Sequence, residues 1–325
     1  MAVFPGSYET YTVIGDREDL SDVIYNIDPL DCPVMASIGR GDGSNITHEW
    51  QTDQLDTAAF NIVEEAHETA FVAIVPTVRP HNFMQISEKN VIVSATNEAV
   101  RKAGRGNEMA YAIARKGKSL KRDVEFTITQ DQFLAAGSSG TPRSLASIEN
   151  WLGPASVGGA STSARAADGV DPTIPTTTGT PTVAVTDGTQ RPLLESYLKL
   201  VIQGTWTNGG NATLIVSGAF NKSAVSTFTG NSTRYSMAQT MQLNAAIDLY
   251  VSDFGTHRVV ADRFSRDRSL LVLDPTMWSI DYLRPFQQHE IAKTGDAEKR
   301  LLNTEYTLRA SNHYASGVVA DLTTT

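Results

Sequence analysis

Two triplets in the sequence have the residue types of phosphate and metal chemistry. Gly117-Lys118-Ser119 matches the end of a phosphate-binding loop, but that motif needs a glycine where Ala112 stands, and the triplet falls inside a predicted helix. Asp253-Phe254-Gly255 matches the metal-binding triplet of protein kinases, yet no catalytic loop precedes it and no glycine-rich loop opens the chain. We interpret the second triplet as a hairpin turn in which glycine supplies a positive φ.

Other patterns also fail to build a catalytic or metal site. Ser196 and Lys199 have the spacing of a serine nucleophile and its lysine, but they lie on an ordinary predicted amphipathic helix. Arg40-Gly41-Asp42 matches an adhesion triplet, which we interpret as a flexible glycine-rich joint. The sequence predicts no catalytic residue, no cofactor and no metal ligand, since metal-ligand spacing is absent among the histidines, which are His48, His67, His81, His257, His289 and His313.

Composition narrows the class of protein. The chain has 325 residues, 41% of them hydrophobic, which is enough to fill one large domain or two intertwined ones. Cys32 is the only cysteine, so an internal disulfide is impossible, and we expect it to be a small packed residue. No apolar run approaches the roughly 18–20 residues of a membrane span. The N-terminus lacks the parts of a signal peptide, so we expect neither secretion nor membrane anchoring.

Charge is distributed unevenly along the chain. The net charge of −9 argues against tight nucleic-acid binding, although the wall of a container for nucleic acid does not need to bind its contents tightly. Residues 1–78 hold fourteen acidic residues and two basic ones, whereas residues 101–122 hold eight basic residues and one acidic one. The asymmetry favours pairing between copies, with an acidic arm of one chain lying across the basic helix of another. The alternative is that the acidic region and the basic region both face solvent without pairing.

Hydrophobic periodicity predicts an α+β protein with no internal repeat. Apolar residues recur at helical spacing from Asn107 to Phe133, and a helix of this length needs a partner along it. The other predicted elements are an arm with a short helix around 20–27, two strands of a marginal hairpin within 46–94, a Gly/Ser/Thr-rich segment 153–190, a helix 192–205, a buried strand 212–217 and a strand hairpin within 247–260.

Several stretches, in order along nearly the whole chain, resemble one family of tailed-bacteriophage major capsid proteins. Among them are GDREDLSDVIYNIDPLDCPVMASIGR (15–40), EAVRKAGRGNEMAYAIARKGKSLKRDVE (98–125) and DLYVSDFGTHRVVADRF (248–264). Two more are GAFNKSAVSTFTGNSTRY (218–235) and the region from Val272 to Leu322. The resemblance covers everything except 153–190.

The resemblance implies the Hong Kong 97-type capsid fold. Mapped onto this sequence, it gives an N-terminal arm (1–45), an E-loop hairpin (46–95), a peripheral domain with a long spine helix (96–152), a connecting segment (153–190), an axial domain (191–265) and a return to the peripheral domain with C-terminal strands (266–325). Residues 46–88 contain no lysine, so we expect no lysine–asparagine crosslink from the hairpin; Lys89 is the first candidate.

The implied function is a structural subunit without catalysis. Copies would assemble into hexamers and pentamers of an icosahedral shell around double-stranded DNA, with no sequence-specific DNA binding and no membrane. A separate scaffolding protein, a portal and a decoration protein are the expected partners, in the virion and in the host cytoplasm during assembly. Alternatives are a bacterial nanocompartment shell, a secreted adhesin and an enzyme. The predicted contact residues between subunits are Asp16, Glu18, Asp19, Trp50, Arg115, Lys118 and Arg122.

Overall fold

The structure is a computed structural model that describes residues 31–71, 73–102, 104, 106–153, 161–228 and 248–325. Within these ranges no helix combines the length and the apolarity that a membrane crossing requires. The helices are α1 (Pro33–Ser37), α2 (Ala95–Ala99), α3 (Glu108–Thr129), α4 (Ile148–Trp151), α5 (Glu195–Thr207) and α6 (Ala219–Ser226).

The strands form three sheets in the described part of the chain. The strands are β1 (Gly39–Asp42), β2 (Thr47–Glu49), β3 (His81–Phe83), β4 (Gln85–Ser94), β5 (Ser163–Ala164), β6 (Leu214–Ser217), β7 (Leu249–Ser252), β8 (Gly255–Ala261), β9 (Leu270–Leu273), β10 (Trp278–Ile291), β11 (Ala297–Ala310) and β12 (Gly317–Val319). One sheet has the order β1-β10-β11-β4, the second β5-β12-β9-β6-β8-β7, and the third is the pair β2-β3.

The six-stranded sheet separates two hydrophobic cores. Leu214 and Val216 of β6 contact the first core, and Ile215 between them contacts the second. Successive side chains of a strand point to opposite faces, so a strand covered on both sides has a continuous apolar sequence. This explains the buried run predicted at 212–217. The helix α5 covers the second core and begins at Glu195 rather than at the predicted Pro192, because the backbone is still extended at Leu194, which occupies the N-cap position.

Helix α3 packs along the four-stranded sheet. The Asn107 side chain caps it by accepting a hydrogen bond of 2.6 Å from the Ala110 amide. At its other end, Thr129 and Gln130 donate side-chain hydrogen bonds of 3.2 and 2.8 Å to the carbonyl of Phe264. The helix therefore stops at Thr129, before the predicted Phe133, and its 22 residues span about 33 Å.

Part of the predicted arm belongs to the folded body. Residues 1–30, including the predicted helix around 20–27, lie outside the described residues. Helix α1 buries Val34 in the first core, and β1 pairs in parallel with β10. The prediction of a flexible joint at Arg40-Gly41-Asp42 is wrong, because these residues form β1 and a Cβ on Gly41 would collide with the Asp281 carboxylate.

The strand β4 does not pair within the predicted hairpin 46–95. Its whole length is antiparallel to β11, with Gln85 opposite Tyr306 and Ser94 opposite Ala297. Val91 and Val93 are buried against α3, while Ile92 between them is exposed. The strands that do pair at the base of the hairpin are the short β2 and β3.

The Gly/Ser/Thr-rich segment is integrated into the body where it is described, from residue 161 onward. Ser163 and Ala164 form β5, which pairs with β12, and Thr162 and Val185 are buried. The Thr180 hydroxyl accepts a hydrogen bond of 3.0 Å from the His81 amide at the base of the hairpin. Small side chains allow this packing, which the composition of a connecting segment does not reveal.

A buried ionic cluster joins α4, segment 161–190 and the turn before β9. The Glu149 carboxylate is fully buried and lies 3.1 Å from a guanidinium nitrogen of Arg165 and 2.9 Å from one of Arg266. Asp171 lies 2.6 Å from Arg165, and Asp187 lies 2.5 Å from Arg266. Burial acts to lower the pKa of Arg165 and Arg266. The nearby carboxylates have the larger effect, so both pKa values are raised.

Candidate functional site

A basic stripe lies on the outer face of α3. Arg115, Lys116, Lys118 and Lys121 are exposed. Among the residues that the structure describes, no carboxylate forms an ion pair with any of them, unlike Lys89, which lies 2.6 Å from Asp123 on the same helix. These cations are therefore available to a partner, and Arg115 and Lys118 were two of the predicted contact residues.

Arg122, a third predicted contact residue, is engaged within the subunit. Its guanidinium carbon lies 5.2 Å from the ring centre of Phe264, within the range of a cation–π interaction. The side chain is half-buried. The structure therefore places Arg122 beside the basic stripe but gives its guanidinium a contact of its own.

An apolar groove of about 320 Å³ runs between α3 and the long hairpin β10–β11. Leu120, Phe286 and Leu302 line its apolar part, and Lys118 and Lys121 contribute basic groups. Gly117 stands in the middle of α3 at this point, and a Cβ there would lie 3.7 Å from Leu302. The groove thus combines an apolar surface with positive charge.

The segment between β2 and β3 exposes many large apolar side chains. Phe60 and Phe71 are each 97% exposed, and residues 51–78 contain five acidic residues and no lysine or arginine. The other exposed apolar side chains of this hairpin are Leu55, Ile62, Val63, Ile74 and Val75. So much apolar surface in one place marks a binding surface.

The base of the hairpin is fixed rigidly to the sheet. The Nε2 of His48 lies 2.7 Å from the Asp281 carboxylate, which also lies 3.1 Å from the Arg309 guanidinium. Burial of Asp281 acts to raise its pKa, but hydrogen bonds from His48 and Ser279 outweigh burial and lower it. The hairpin therefore projects from a fixed point.

Trp50, another predicted contact residue, belongs to this base. Its ring centre lies 5.4 Å from that of Trp151, and the side chain packs against the first core. Its indole nitrogen is buried. The structure therefore gives Trp50 a packing role within the subunit. The remaining predicted contacts, Asp16, Glu18 and Asp19, lie outside the described residues.

The motifs that resemble catalytic or ligand-binding sites lie in regular helices and in a hairpin turn. Gly117-Lys118-Ser119 lies in the middle of α3, and Ser196 lies on α5, where Lys199 pairs with Glu195 at 3.0 Å. Asp253 and Phe254 form the turn between β7 and β8, and Gly255 has a φ of 141°, as predicted. In the described part of the chain, no group of His, Cys, Asp or Glu side chains has the geometry of a metal site.

We expect assembled particles to contain no covalent crosslink from the hairpin. Lys89 lies on β4 and pairs with Asp123, so its amine is held against α3 of its own subunit. Particles boiled in detergent should give a single monomer band on a denaturing gel. A ladder of higher bands that survives reduction would contradict this prediction.

One family model matches nearly the whole chain. The model of the family described as SU10 major capsid protein matches residues 7–323. The chain is 25% identical over 346 aligned residues to the major capsid protein of Escherichia phage Phieco32, with 97% of each chain covered.

Solved structures share the fold at low identity. The capsid asymmetric unit of cyanophage A-1(L) has a TM-score of 0.67 at 11% identity, covering 95% of this chain and 97% of that chain. The SrpI encapsulin of Synechococcus elongatus PCC 7942 has a TM-score of 0.57 at 8% identity, covering 95% and 93%. These likenesses confirm the predicted Hong Kong 97-like α+β fold.

Proposed function

This chain belongs to the SU10 major capsid protein family, and from that membership we propose how its surfaces build a shell. The protein is a phage major capsid protein, a part of the virion that forms the icosahedral capsid shell and associates with itself in capsomers. We propose that the capsomers are hexamers and pentamers, that the shell encloses double-stranded DNA without reading its sequence, and that the subunit catalyses nothing. We also propose that a separate scaffolding protein, a portal and a decoration protein are partners of the shell, and that assembly takes place in the host cytoplasm.

The division into domains is part of this proposal. Helix α5 and strands β6, β7 and β8 lie within the proposed axial domain (191–265), whereas β5, β9 and β12 of the same sheet lie outside its bounds. Helix α3 with β10 and β11 lies within the proposed peripheral domain, whereas β1 and β4 of that sheet come from the proposed arm and hairpin. Two segments, the arm (1–45) and the hairpin, are proposed to contact neighbouring subunits. Each is acidic in sequence, and the hairpin begins at the paired strands β2 and β3.

The observation that carries the proposal is the hairpin between β2 and β3. A monomer that exposed this much apolar surface would aggregate or bind a partner, and the identical neighbours in a shell provide that partner. Burying one phenylalanine contributes about 1.5–3 kcal/mol. The groove between α3 and β10 offers apolar surface and lysines, which suits an acidic, apolar segment of a second copy.

The double variant Phe60→Ser/Phe71→Ser tests this contact. Both side chains are 97% exposed in the subunit, so the free energy of unfolding should change by less than about 0.5 kcal/mol. Assembly, measured by sedimentation of particles, should fall at least tenfold. Leu200→Ser, at a half-exposed position on α5, is the control and should assemble normally. Normal particle yield from the phenylalanine variant would exclude the hairpin as an apolar contact.

The basic stripe of α3 is the proposed partner of the acidic arm. Arg115 and Lys118 present unpaired charges among the described residues, and the arm contains Asp16, Glu18 and Asp19. Single contacts of about millimolar strength, near 4 kcal/mol, suffice for a shell because many engage at once at high local concentration. Weak contacts also allow misplaced subunits to leave.

Negative-stain electron microscopy after size-exclusion chromatography tests the function. The chain is expressed alone and with any scaffolding protein encoded beside it. Closed polyhedral particles, or free hexamers and pentamers, are the expected result. A well-behaved monomer under both conditions would contradict the proposed assembly.

A further inference from the structure

A buried carboxylate holds the point at which the N-terminal arm leaves the body. Glu125 lies on α3 and is fully buried. Its two oxygens accept hydrogen bonds of 2.8 Å from the backbone amides of Val34 and Met35. These amides belong to the first turn of α1, where no other helical carbonyl can satisfy them.

Helix α1 has no cap of its own. Cys32 occupies its N-cap position and forms no side-chain hydrogen bond to the helix amides, and Pro33 follows it. The only acceptors for Val34 and Met35 among the described residues come from Glu125, about ninety positions later in the chain. A charge-assisted pair of this kind is among the stronger hydrogen-bonding arrangements.

The contacts also locate the first described residues, which follow residues 1–30 of the arm in the chain. Val34 and Met35 contact α3 at Glu125, whereas the Cys32 sulfur contacts the Lys121 carbonyl at 4.0 Å. Residues 32–35 therefore pack against the turn of α3 from Lys121 to Glu125, and Lys121 is the exposed cation of the basic stripe that lies in this turn. Asp31, which precedes these residues, is exposed.

We propose that Glu125 is the positioning residue of the N-terminal arm: by capping α1 it holds the arm's exit against the basic stripe of α3. The inference rests on the proposed function in that the arm is taken to form contacts between subunits. Without the cap, α1 would no longer be held at one position on α3. The point from which the acidic arm begins would then vary.

The cap is sensitive to protonation. Burial raises the pKa of Glu125 to about 7; the amides of Met35 and Val34 oppose this rise, and the charge of Asp262 adds to it. The other ionisable groups at this point are Asp31, Cys32 and Lys121. Undocking of α1 would return Glu125 to water and to its ordinary pKa of 4.5. The docked state therefore gains from protonation below pH 7 and loses that gain as pH rises from about 4.5 to 7.

Hydrogen exchange of the unassembled subunit tests the cap directly. In Glu125→Ala both acceptor oxygens are removed, so exchange at Val34 and Met35 should rise at least tenfold, with exchange in β9 unchanged. Asp123→Asn, two residues away on the same helix, loses its ion pair with Lys89 and should leave both amides protected. Unchanged protection in Glu125→Ala would overturn the proposal.

Particle yield shows whether Glu125 positions the arm for assembly or only stabilises the packing of α1. Glu125→Ala should lower particle yield at least fivefold, and Asp123→Asn should not. Lost protection with normal yield would overturn the positioning role. If Glu125→Ala does not fold, Glu125→Asp serves: its carboxylate is one methylene shorter and cannot keep both hydrogen bonds, so exchange at Val34 or Met35 should rise, and unchanged protection at both amides would overturn the cap.

A different experiment shows whether the proposed role of the arm in assembly is wrong. A chain that lacks residues 2–30 but assembles normally would show that the arm forms no essential contact. The exchange measurement on the full chain still decides whether Glu125 holds α1. The two results are therefore independent.

Discussion

We expect the double variant Arg115→Glu/Lys118→Glu to fold normally and to form no shells. Both side chains are exposed, and neither forms an ion pair with a described residue, so the free energy of unfolding should change by less than about 0.5 kcal/mol. The variant should elute as a folded subunit in size-exclusion chromatography, with an unchanged circular dichroism spectrum. Electron microscopy should show no particles.

The effect is large because the change is repeated in every subunit. A single exposed ion pair contributes only about 0.2–1 kcal/mol, but reversal turns attraction into repulsion at two positions of one contact. Since each contact amounts to about 4 kcal/mol and many act together, a loss of 1–2 kcal/mol per contact removes the cooperativity of closure. Lys199→Glu/Arg263→Glu changes the net charge equally at exposed positions elsewhere and serves as the control. Normal yield from the α3 variant would show that the stripe is only solvated.

Compensating reversal identifies the partner of the stripe. The arm (Asp16, Glu18, Asp19) and the hairpin (Glu64, Glu65) are both acidic. If the arm is the partner, changing its three acids to lysine in the double variant should restore particles. Restoration by Glu64→Lys/Glu65→Lys instead would assign the contact to the hairpin.

The long helix and the buried strands could be predicted because their signals are local. Apolar residues at helical spacing predicted α3, and Asn107 marked its start. The apolar run at 212–217 predicted β6. The end of α3 could not be predicted, because it depends on hydrogen bonds to the carbonyl of Phe264, more than 130 residues later. Local periodicity continues to Phe133 and carries no information about that partner.

Pairing between distant strands explains the other differences. Arg40-Gly41-Asp42 has the composition of a joint, but its partner in the sheet begins at Ser279. Likewise β4 follows the hairpin directly in sequence, yet its register is set by β11. A strand's neighbours are determined by topology, which hydrophobic alternation does not encode.

The exposed charges of the basic stripe could be predicted, and their role in contacts between subunits remains a prediction. Arg115 and Lys118 could be found because clustered charge on a helix is visible in the sequence. Trp50 was chosen as an exposed aromatic residue, whereas it packs on Trp151, whose position depends on the fold. Glu125 was missed because a glutamate in a basic helix is expected to face water. Its position between Val124 and Ile128, both fully buried, was the available signal.

Glu149 is the second residue whose replacement should have a large effect, and it acts on the subunit alone. Its carboxylate is fully buried between Arg165, which is 3% exposed, and Arg266. Glu149→Ala leaves two buried guanidinium groups short of a counter-charge, because Asp171 and Asp187 are already paired with them. Removing one partner of a buried ionic group costs about 3–5 kcal/mol.

Urea unfolding of the unassembled subunit measures this loss. Glu149→Ala should lower the free energy of unfolding by about 3–5 kcal/mol, a large share of the roughly 5–15 kcal/mol typical of a domain. Glu298→Ala, which removes an exposed ion pair with Lys293, should change it by less than about 1 kcal/mol. An equally small change for Glu149→Ala would mean that the cluster is solvated. Because Glu149 is fully buried, particles should be lost only in proportion to the unfolded fraction, whereas the α3 reversal should stop assembly in subunits that remain folded.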